Sequence, residues 1–290
     1  MLVEIDDKSG FCFGVVNAIN KAEEEIKNSG ILYSLGDIVH NAVEMKRLSE
    51  LGLSTVKHED IPKLHEKVLF IRAHGEPPTT YKKAEECGVK VIDATCPVVA
   101  KLQGSVVEAY KKMVEIDGQV VIFGKHGHAE VVGLNGQIGN RAYIIENEQE
   151  LRAKVDFQKP IYFLSQTTKP LLSFEKLSQI ILSESKALGN DKVIIKDTIC
   201  RNVSNRGPHL QEFAKKYDLV LFISGKESSN GQVLFQQSKL SNDRCYKIED
   251  ESELESSWFV GIDSVGICGA TSTPRWLMNR VKNYIIENYA

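Results

Sequence analysis

The chain has 290 residues, of which 42% are hydrophobic and 26% are charged, and these fractions are typical of folded globular proteins rather than disordered or collagen-like ones. Its 36 basic and 39 acidic residues give a formal net charge of −3, and the absence of a basic block argues against a nucleic-acid partner. No apolar run is long enough for a membrane helix, and the polar start at Met1–Asp7 is unlike a signal peptide. We therefore expect a cytoplasmic protein with no membrane partner.

Short runs rich in Val, Ile and Leu alternate with helical stretches along the chain, which predicts an α/β fold with mostly parallel sheets. The predicted strands, in chain order, are Ile31–Leu35, Val68–Ile71, Val89–Ile92, Val120–Phe123, Ala142–Ile145, Ile161–Leu164, Val193–Ile195, Leu219–Ile223 and Val265–Ile267. Amphipathic helices are predicted at Val15–Asn28 and Leu172–Leu188, the second closed by Gly189.

One sequence pattern occurs twice and indicates related structural units. Asp93–Cys96 and Asp197–Cys200 each follow an apolar strand and pass through Asp and Thr to Cys. Cys12 occupies a third loop of this kind, and the three cysteines lie roughly 100 residues apart, a common domain size. We therefore predict three small α/β domains, at residues 1–96, 97–196 and 197–290.

The six cysteines fall into two groups by their local sequence. Cys12, Cys96 and Cys200 lie in loops beside Gly, Pro or Thr, where thiolates can project toward a shared point, so they are candidate metal ligands. The other three are Cys87, Cys245 and Cys268. They lie in strand-like runs or at a helix end and are expected to be buried as small apolar side chains. Three thiolates suit an iron–sulfur cluster or an open zinc site, and spacing alone does not choose between them.

Polar side chains cluster directly after the predicted strands. They are His40, His74, His126, His128, Thr167, Thr168, Ser228, Ser229, Asn230, Thr271, Ser272 and Thr273. Ligands of parallel α/β sheets bind at the carboxyl ends of strands, and these donors suit phosphate oxygens. Glu130 is the carboxylate of the His-rich loop and is a candidate general acid, the alternative being a capping or solvent-facing side chain.

The same residues have simpler interpretations when each is taken alone. A histidine after a strand is often a structural residue, and Ser or Thr before a helix is usually an N-cap. His58, His65 and His209 are assigned to this structural or surface class. The convergence of cysteines, histidines, hydroxyls and one carboxylate on strand ends is what favours a functional site.

Taken together, these motifs resemble the LytB family, the 4-hydroxy-3-methylbut-2-enyl diphosphate reductases of the non-mevalonate isoprenoid pathway, over essentially the whole chain. The segments that carry the resemblance are Gly10–Val15, Val39–Asn41, Ala73–Gly75, Asp93–Pro97, Gly127–Val131, Ser165–Thr168, Asp197–Cys200, Ser228–Asn230 and Ser272–Pro274. The sequence departs from the family pattern at Arg201–Ser204, usually a more Thr-rich run, and at Gly207–Pro208, so a contact from that loop is not carried over.

The resemblance implies three α/β domains around a central 4Fe-4S cluster, held by Cys12, Cys96 and Cys200 with one iron free for the substrate hydroxyl. It implies a set of diphosphate-binding residues: His40, His74, His128, Ser228, Ser229, Asn230 and Ser272. It also implies that Thr167 holds the substrate hydroxyl and that Glu130 delivers protons.

The reaction implied by the resemblance consumes two electrons and two protons, expels water from the allylic alcohol, and yields isopentenyl and dimethylallyl diphosphates. A reduced ferredoxin or flavodoxin is the implied electron donor. The competing hypothesis is a phosphate- or metal-binding protein without catalysis, with structural zinc at the three cysteines. A brown protein that carries iron and sulfide would favour the reductase, whereas a zinc protein would be colourless.

Overall fold

A computed structural model describes residues 1–289 of the chain. They form two compact units: the first contains residues 1–32, 37–54 and 201 onward, and the second contains residues 33–36 and 55–200. The strands are β1 Leu2–Ile5, β2 Leu32–Leu35, β3 Leu53–Val56, β4 Val68–Ile71, β5 Lys90–Asp93, β6 Gln119–Phe123, β7 Tyr143–Ile145, β8 Ile161–Ser165, β9 Val193–Ile195, β10 Leu219–Ile223, β11 Cys245–Ile248 and β12 Ser264–Gly269.

The α-helices are α1 Phe13–Ser29, α2 Ala42–Leu51, α3 Pro78–Glu86, α4 Pro97–Val114, α5 Ala129–Gly136, α6 Glu148–Lys154, α7 Leu171–Ala187, α8 Arg201–Ser204, α9 Arg206–Ala214, α10 Ser229–Lys239 and α11 Arg275–Tyr289. Short 3-10 helices lie at His58–Lys63, Glu251–Glu253 and Ser256–Phe259. Within residues 1–289, no helix combines the length and the apolar character needed to cross a membrane.

Within the described residues the strands form three four-stranded sheets, in the orders β1-β12-β10-β11, β3-β2-β4-β5 and β7-β6-β8-β9. Strand pairs in all three sheets run parallel. This confirms the predicted α/β class with parallel sheets. The domain boundaries after residues 96 and 196 stay a prediction. β1 lies near one end of the chain and pairs with β12 near the other.

The central strands are buried along their whole length because helices cover both faces of a parallel sheet. All five residues of β6, β8 and β10 are buried. In β6, Val121 and Phe123 pack into one hydrophobic core, whereas Val120 and Ile122 pack into another on the opposite face. Continuous apolar runs were therefore the correct sequence signal for these strands.

Three strands are missing from the list predicted from the sequence, and all three lie at sheet edges. β1, β3 and β11 occupy outer positions of their sheets. An edge strand is covered on fewer sides, so it carries fewer apolar residues, and Leu2 is 54% exposed. The predicted helices at Val15–Asn28 and Leu172–Leu188 are confirmed as α1 and α7, with ends shifted by one or two residues.

Candidate active site

Three cysteines stand directly before the first residue of a helix. Cys12 precedes α1, Cys96 precedes α4 and Cys200 precedes α8. The thiols of Cys12 and Cys96 make no capping hydrogen bond to the described backbone, although both residues are N-caps. These two thiols are therefore not used for capping, and a cysteine binds a metal through its sulfur.

The predicted burial of the other three cysteines is confirmed for Cys245 and Cys268. Cys245 lies on β11 and Cys268 on β12, and both side chains are buried. Burial raises the pKa of the Cys245 thiol to about 12 and that of Cys268 well above its ordinary value. Cys87 ends α3 and is half-buried, not fully buried as expected. High thiol pKa values make Cys245 and Cys268 poor metal ligands.

The Asp-to-Cys sequence pattern that occurs twice forms the same kind of turn in both loops. The carboxylate of Asp93 accepts a hydrogen bond from the amide of Thr95 at 2.8 Å, and that of Asp197 accepts one from the amide of Ile199 at 2.9 Å. In both loops the aspartate therefore fixes the backbone directly before the cysteine, as an Asx turn does. This explains why the two loops share Asp three residues before Cys.

The Cys96 loop lies against the turn that carries His74. The Cys96 amide donates to the carbonyl of Ala73 at 3.0 Å. Gly75 adopts φ +69°, a left-handed backbone conformation that favours glycine, and it lies beside the Gln103 side chain of α4. The His74 and His128 rings meet edge to face with centroids 5.3 Å apart. The second unit thus brings Cys96, His74 and His128 together.

Glu130 is a buried carboxyl group in the first turn of α5. It is 2% exposed, which excludes the solvent-facing alternative. Its two oxygens accept hydrogen bonds from Thr167, one from the amide at 2.7 Å and one from the hydroxyl at 2.8 Å. The preceding His128 is the N-cap of α5, with Nδ1 accepting from the Glu130 amide at 3.2 Å.

Burial controls the protonation of Glu130. It raises the pKa of the carboxyl group from 4.5 to about 7, while the two hydrogen bonds from Thr167 favour the ionised form and oppose this shift. The carboxyl group is thus poised to exchange a proton near neutral pH, as a general acid must be. Thr167 is also tied to a cysteine loop, since its carbonyl accepts from the Cys200 amide at 2.8 Å.

A second polar group lies in the first unit, where two loops follow β10 and β12. Asn230 Nδ2 donates to the Thr271 hydroxyl, and the Ser228 and Ser272 hydroxyls lie 3.3 Å apart. The carbonyl of Thr271 accepts from the Cys12 amide at 3.1 Å. These bonds place Cys12 beside the loops that carry the serines and Asn230.

The side-chain amide of Asn230 is buried, and one of its two polar atoms has no hydrogen-bond partner among residues 1–289. The residue is 6% exposed, and its Oδ1 has no hydrogen-bond partner among residues 1–289. A flip of the asparagine side-chain amide exchanges its oxygen and nitrogen with little change in shape, so either atom can face a ligand. A buried polar atom without a partner is costly, and a bound ligand would remove this cost. This observation fits a polar ligand at the α10 N-terminus.

His40 lies against the same loops of the first unit. A Cβ on Gly225 would lie 2.3 Å from the His40 carbonyl oxygen, so only glycine allows the two backbones to approach this closely. The next residue, Asn41, is the buried N-cap of α2. Ser229, the first residue of α10, is half-buried.

Cys12 also lines an open cavity of about 490 Å³ within the first unit. Phe11, Arg201, Asn202 and Arg206 are among its other lining residues. Because the cavity reaches the surface, the Cys12 side of this unit is accessible to a ligand.

Not every polar residue after a strand belongs to these groups. His126 is exposed, and its Nε2 contacts Glu150 Oε2 at 2.8 Å. Sequence analysis assigned His209 to the structural class, and its Nε2 donates to the buried carboxylate of Asp6 at 2.6 Å. Asp6 and the equally buried Glu44 were not singled out from the sequence. Besides nearby partners, Asp6 contacts His209 and Glu44 contacts Trp276, and sequence patterns do not mark such distant contacts.

The chemistry of these donors fits an iron–sulfur cluster. Soft thiolate ligands favour Fe–S clusters or zinc, and Cys12, Cys96 and Cys200 are partly exposed thiols at helix N-termini. The neighbouring loops supply hydroxyl, amide and imidazole groups, which can bind a polar ligand.

Comparison with known proteins gives consistent matches over the full chain. A protein of Bacteroides fragilis, named 4-hydroxy-3-methylbut-2-enyl diphosphate reductase, is 48% identical over 284 residues, which cover 98% of this chain and 97% of that protein. A protein of Chloroherpeton thalassium with the same name is 45% identical and covers 100% of this chain and 98% of its own.

A solved structure described as (E)-4-hydroxy-3-methyl-but-2-enyl diphosphate reductase, the terminal enzyme of the non-mevalonate pathway, is also similar. It has a TM-score of 0.73 and 32% sequence identity and covers 99% of this chain and 100% of its own. The family model described as LytB protein matches residues 3–286. On these grounds the chain belongs to the LytB family.

Proposed function

We propose that this chain is an iron–sulfur oxidoreductase that removes the hydroxyl group of 4-hydroxy-3-methylbut-2-enyl diphosphate. Two electrons and two protons enter, the C–O bond breaks, and water leaves together with isopentenyl or dimethylallyl diphosphate. The observation that carries this proposal is Glu130, a buried carboxyl group with a pKa of about 7 that is linked through Thr167 to the Cys200 loop. The names of the full-length relatives support it.

Cys12, Cys96 and Cys200 would hold a 4Fe-4S cluster, and the three-cysteine set leaves one iron available to the substrate. When bound, the cluster would supply the electrons one at a time. The support for this ligand set is the position of all three cysteines at helix N-termini, in contrast to the buried Cys245 and Cys268. Iron–sulfur chemistry is characteristic of the family.

The diphosphate would be bound by neutral and imidazole donors instead of a cluster of lysines. The proposed set is His40, His74, His128, Ser228, Ser229, Asn230 and Ser272. Short side chains at helix N-termini can donate to anionic oxygens and add the favourable end of the helix dipole. Ser228 and His128 are N-caps of α10 and α5, and the free amide atom of Asn230 would gain a partner.

Glu130 and Thr167 would form a short proton relay. In the ground state the Thr167 hydroxyl donates to Glu130 Oε2. When Glu130 is protonated, the hydroxyl can rotate, accept the Glu130 proton and donate its own to the oxygen of the substrate. Protonation lets that oxygen leave as water, a far better leaving group than hydroxide. Thr167 therefore both holds the substrate hydroxyl and passes the proton.

The electrons would come from a reduced ferredoxin or flavodoxin. Either carrier delivers single electrons, so two deliveries complete one turnover. Reduced methyl viologen can replace the carrier in an assay, which separates the question of the donor from the question of the reaction.

The proposal is tested with anaerobically purified protein. We expect a brown protein with iron and sulfide near four of each per chain, the stoichiometry of a 4Fe-4S cluster, that converts the allylic alcohol diphosphate to the two products with reduced viologen. Colourless protein that contains zinc and does not reduce the substrate would instead support the binding-protein hypothesis.

The ligand assignment is tested by serine substitution of all six cysteines. Cys12→Ser, Cys96→Ser and Cys200→Ser should lose the intact cluster. The matched controls Cys87→Ser, Cys245→Ser and Cys268→Ser should retain it if they fold, because these thiols lie outside the proposed site. A full cluster in Cys96→Ser would contradict the assignment.

A further inference from the structure

The loop between β1 and Cys12 folds around one buried carboxylate. Asp6 directly follows β1 and is 2% exposed. Its Oδ2 accepts from the Ser9 hydroxyl at 2.7 Å, and its Oδ1 accepts from His209 Nε2 at 2.6 Å. A polar side chain is costly to bury unless it is hydrogen-bonded, so these two bonds are strongly favoured.

Ser9 connects this carboxylate to a second loop. Its oxygen accepts a hydrogen bond from the amide of Gly269 at 3.0 Å, while its proton is donated to Asp6. Gly269 is the last residue of β12 and begins the turn that carries Ser272. One hydroxyl therefore joins the Cys12 loop to a loop that is proposed to bind diphosphate.

Three further hydrogen bonds fix the same two loops. The Cys12 amide donates to the Thr271 carbonyl, and Arg206 Nη1 donates to the Gly10 carbonyl at 2.6 Å. Arg275, at the start of α11, donates to the backbone carbonyl of Asp6 at 2.5 Å. Both arginines bind backbone carbonyls, so they restrain the backbone of the loop directly.

This arrangement differs from the other two cysteine loops. Before Cys96 and Cys200, an aspartate three residues upstream forms a local Asx turn. Before Cys12, the carboxylate lies six residues upstream and acts through Ser9 and His209. A local turn orders only its own loop, whereas the Asp6 network orders two loops together.

We propose that Asp6 and Ser9 are positioning residues that hold the Cys12 loop and the Gly269–Ser272 turn in one arrangement, so that cluster retention and diphosphate binding depend on the same buried hydrogen bonds. The inference rests on the proposed function for the roles of Cys12 and Ser272. Neither Asp6 nor Ser9 touches the substrate or the cluster in this proposal.

The first test measures the two loops in the metal-free protein by hydrogen exchange. The amides of Gly269 and Cys12 are both donors in the network, so they report on it directly. Ser9→Ala should speed exchange at both amides about tenfold, because the bridging hydroxyl is lost. Ser9→Thr keeps a hydroxyl and should restore exchange to within about twofold of the unaltered protein.

The second test measures the loaded and ligand-bound states. In Ser9→Ala and Asp6→Asn, an iron chelator should bleach the cluster absorption about tenfold faster, and inorganic diphosphate should bind the metal-free protein about tenfold more weakly by calorimetry. Both changes should be absent from Ser9→Thr. If Asp6→Asn does not fold, the Ser9 pair decides the result.

Asp218→Asn is the matched control. Asp218 lies in the same unit and accepts from the Ser264 hydroxyl at 2.9 Å, at the opposite end of β12. It should leave all three measurements within about twofold, because its carboxylate is exposed and remote from the Cys12 loop.

Two results would overturn the proposal: equal changes in Asp218→Asn, or unchanged exchange at Gly269 and Cys12 in Ser9→Ala. Unaltered protein that never binds a cluster would instead contradict the proposed function. In that case the hydrogen-exchange comparison would still decide whether Asp6 and Ser9 couple the two loops.

Discussion

Two buried glutamates occupy almost the same position in two helices, yet their surroundings give them different chemistry. Glu44 is in the first turn of α2, behind the N-cap Asn41, and is 0% exposed. Glu130 is in the first turn of α5, behind the N-cap His128, and is 2% exposed. Burial and helix position are therefore nearly equal for the two carboxyl groups.

The partners differ in charge. Glu44 accepts from Arg47 at 2.6 and 3.0 Å and from the indole nitrogen of Trp276 at 2.9 Å. The hydrogen bonds to Glu44, together with Glu23, raise the pKa of the Arg47 guanidinium above its ordinary value. Within residues 1–289, Glu130 accepts from the neutral amide and hydroxyl of Thr167, and burial raises its pKa to about 7.

The difference shows what makes a buried carboxyl group reactive. Arg47 gives the buried Glu44 side chain a cationic partner, and this pair holds the start of α2 in place. Within residues 1–289 the hydrogen-bond donors to Glu130 are neutral, and burial brings the free energies of its protonated and ionised forms close together near neutral pH. Burial alone identifies neither role, and the charge of the partner decides between them.

The largest expected effect is on catalysis at Glu130. Glu130→Gln keeps the shape of the side chain but removes the exchangeable proton, so turnover should fall about 10²- to 10⁴-fold. Cluster content and diphosphate affinity should be largely retained. Turnover is measured with reduced viologen and the allylic substrate.

Glu44→Gln is the matched substitution for this measurement. It removes a carboxyl group of nearly equal burial from the first turn of a helix, so any general effect of losing a buried carboxyl group would be present in both variants. We expect its turnover to stay within about tenfold of the unaltered protein, since Glu44 lies outside the proposed proton relay. Near-normal turnover in Glu130→Gln would exclude the relay.

The second prediction concerns pH. Because the folded-state pKa of Glu130 is raised from 4.5 to about 7, the folded state binds this proton more tightly than the unfolded state. The stabilisation is complete below pH 4.5 and is lost as pH rises through about 7. The free energy of unfolding should fall by about 3 kcal/mol relative to Glu130→Gln across this window.

This comparison is made by chemical denaturation of both proteins at several pH values. The variant has no titrating group at residue 130, so subtraction removes the contribution of the other ionisable groups. A difference that is independent of pH between 4.5 and 7 would contradict the raised pKa.

The third prediction is a loss of stability at Glu44. Glu44→Gln leaves Arg47 without its principal ionic partner and weakens the anchor to Trp276. Since Arg47 is partly exposed, water can replace part of the lost interaction, and we expect a cost of about 1 to 3 kcal/mol in the free energy of unfolding. An unchanged unfolding midpoint would mean that the ion pair adds no net stability.

The two glutamates also show which site residues can be predicted from the sequence and which cannot. Glu130 was found because it lies in a His-rich loop after a strand and within a family motif. Glu44 lies in an ordinary amphipathic pattern, and it accepts a hydrogen bond from Trp276, far along the chain. Local sequence does not encode such a contact, so the role of Glu44 could only come from the structure.

The strands could be predicted where burial on both faces of the sheet produces a continuous apolar run in the sequence. The apolar runs of β6, β8 and β10 gave the central strands, because these strands are covered on both faces. The edge strands β1 and β3 have no such run, and the parallel pairing of β1 with β12 joins distant segments. The loops before Cys96 and Cys200 share a visible sequence pattern because an aspartate three residues upstream fixes each turn.

The smallest expected effect separates two asparagine N-caps with nearly equal hydrogen-bond lengths. Asn41 Oδ1 accepts from the Glu44 amide at 3.0 Å, and Asn147 Oδ1 accepts from the Glu150 amide at 2.9 Å. Asn41 is buried, whereas Asn147 is exposed. In Asn147→Ala water can replace the lost acceptor, so the cost should be about 0.5 kcal/mol. In Asn41→Ala the buried amide of Glu44 loses its partner, so the cost should approach about 2 kcal/mol. Asn41→Asp keeps the acceptor and serves as the control. Equal unfolding free energies for the two alanine variants would mean that burial does not set the strength of these caps.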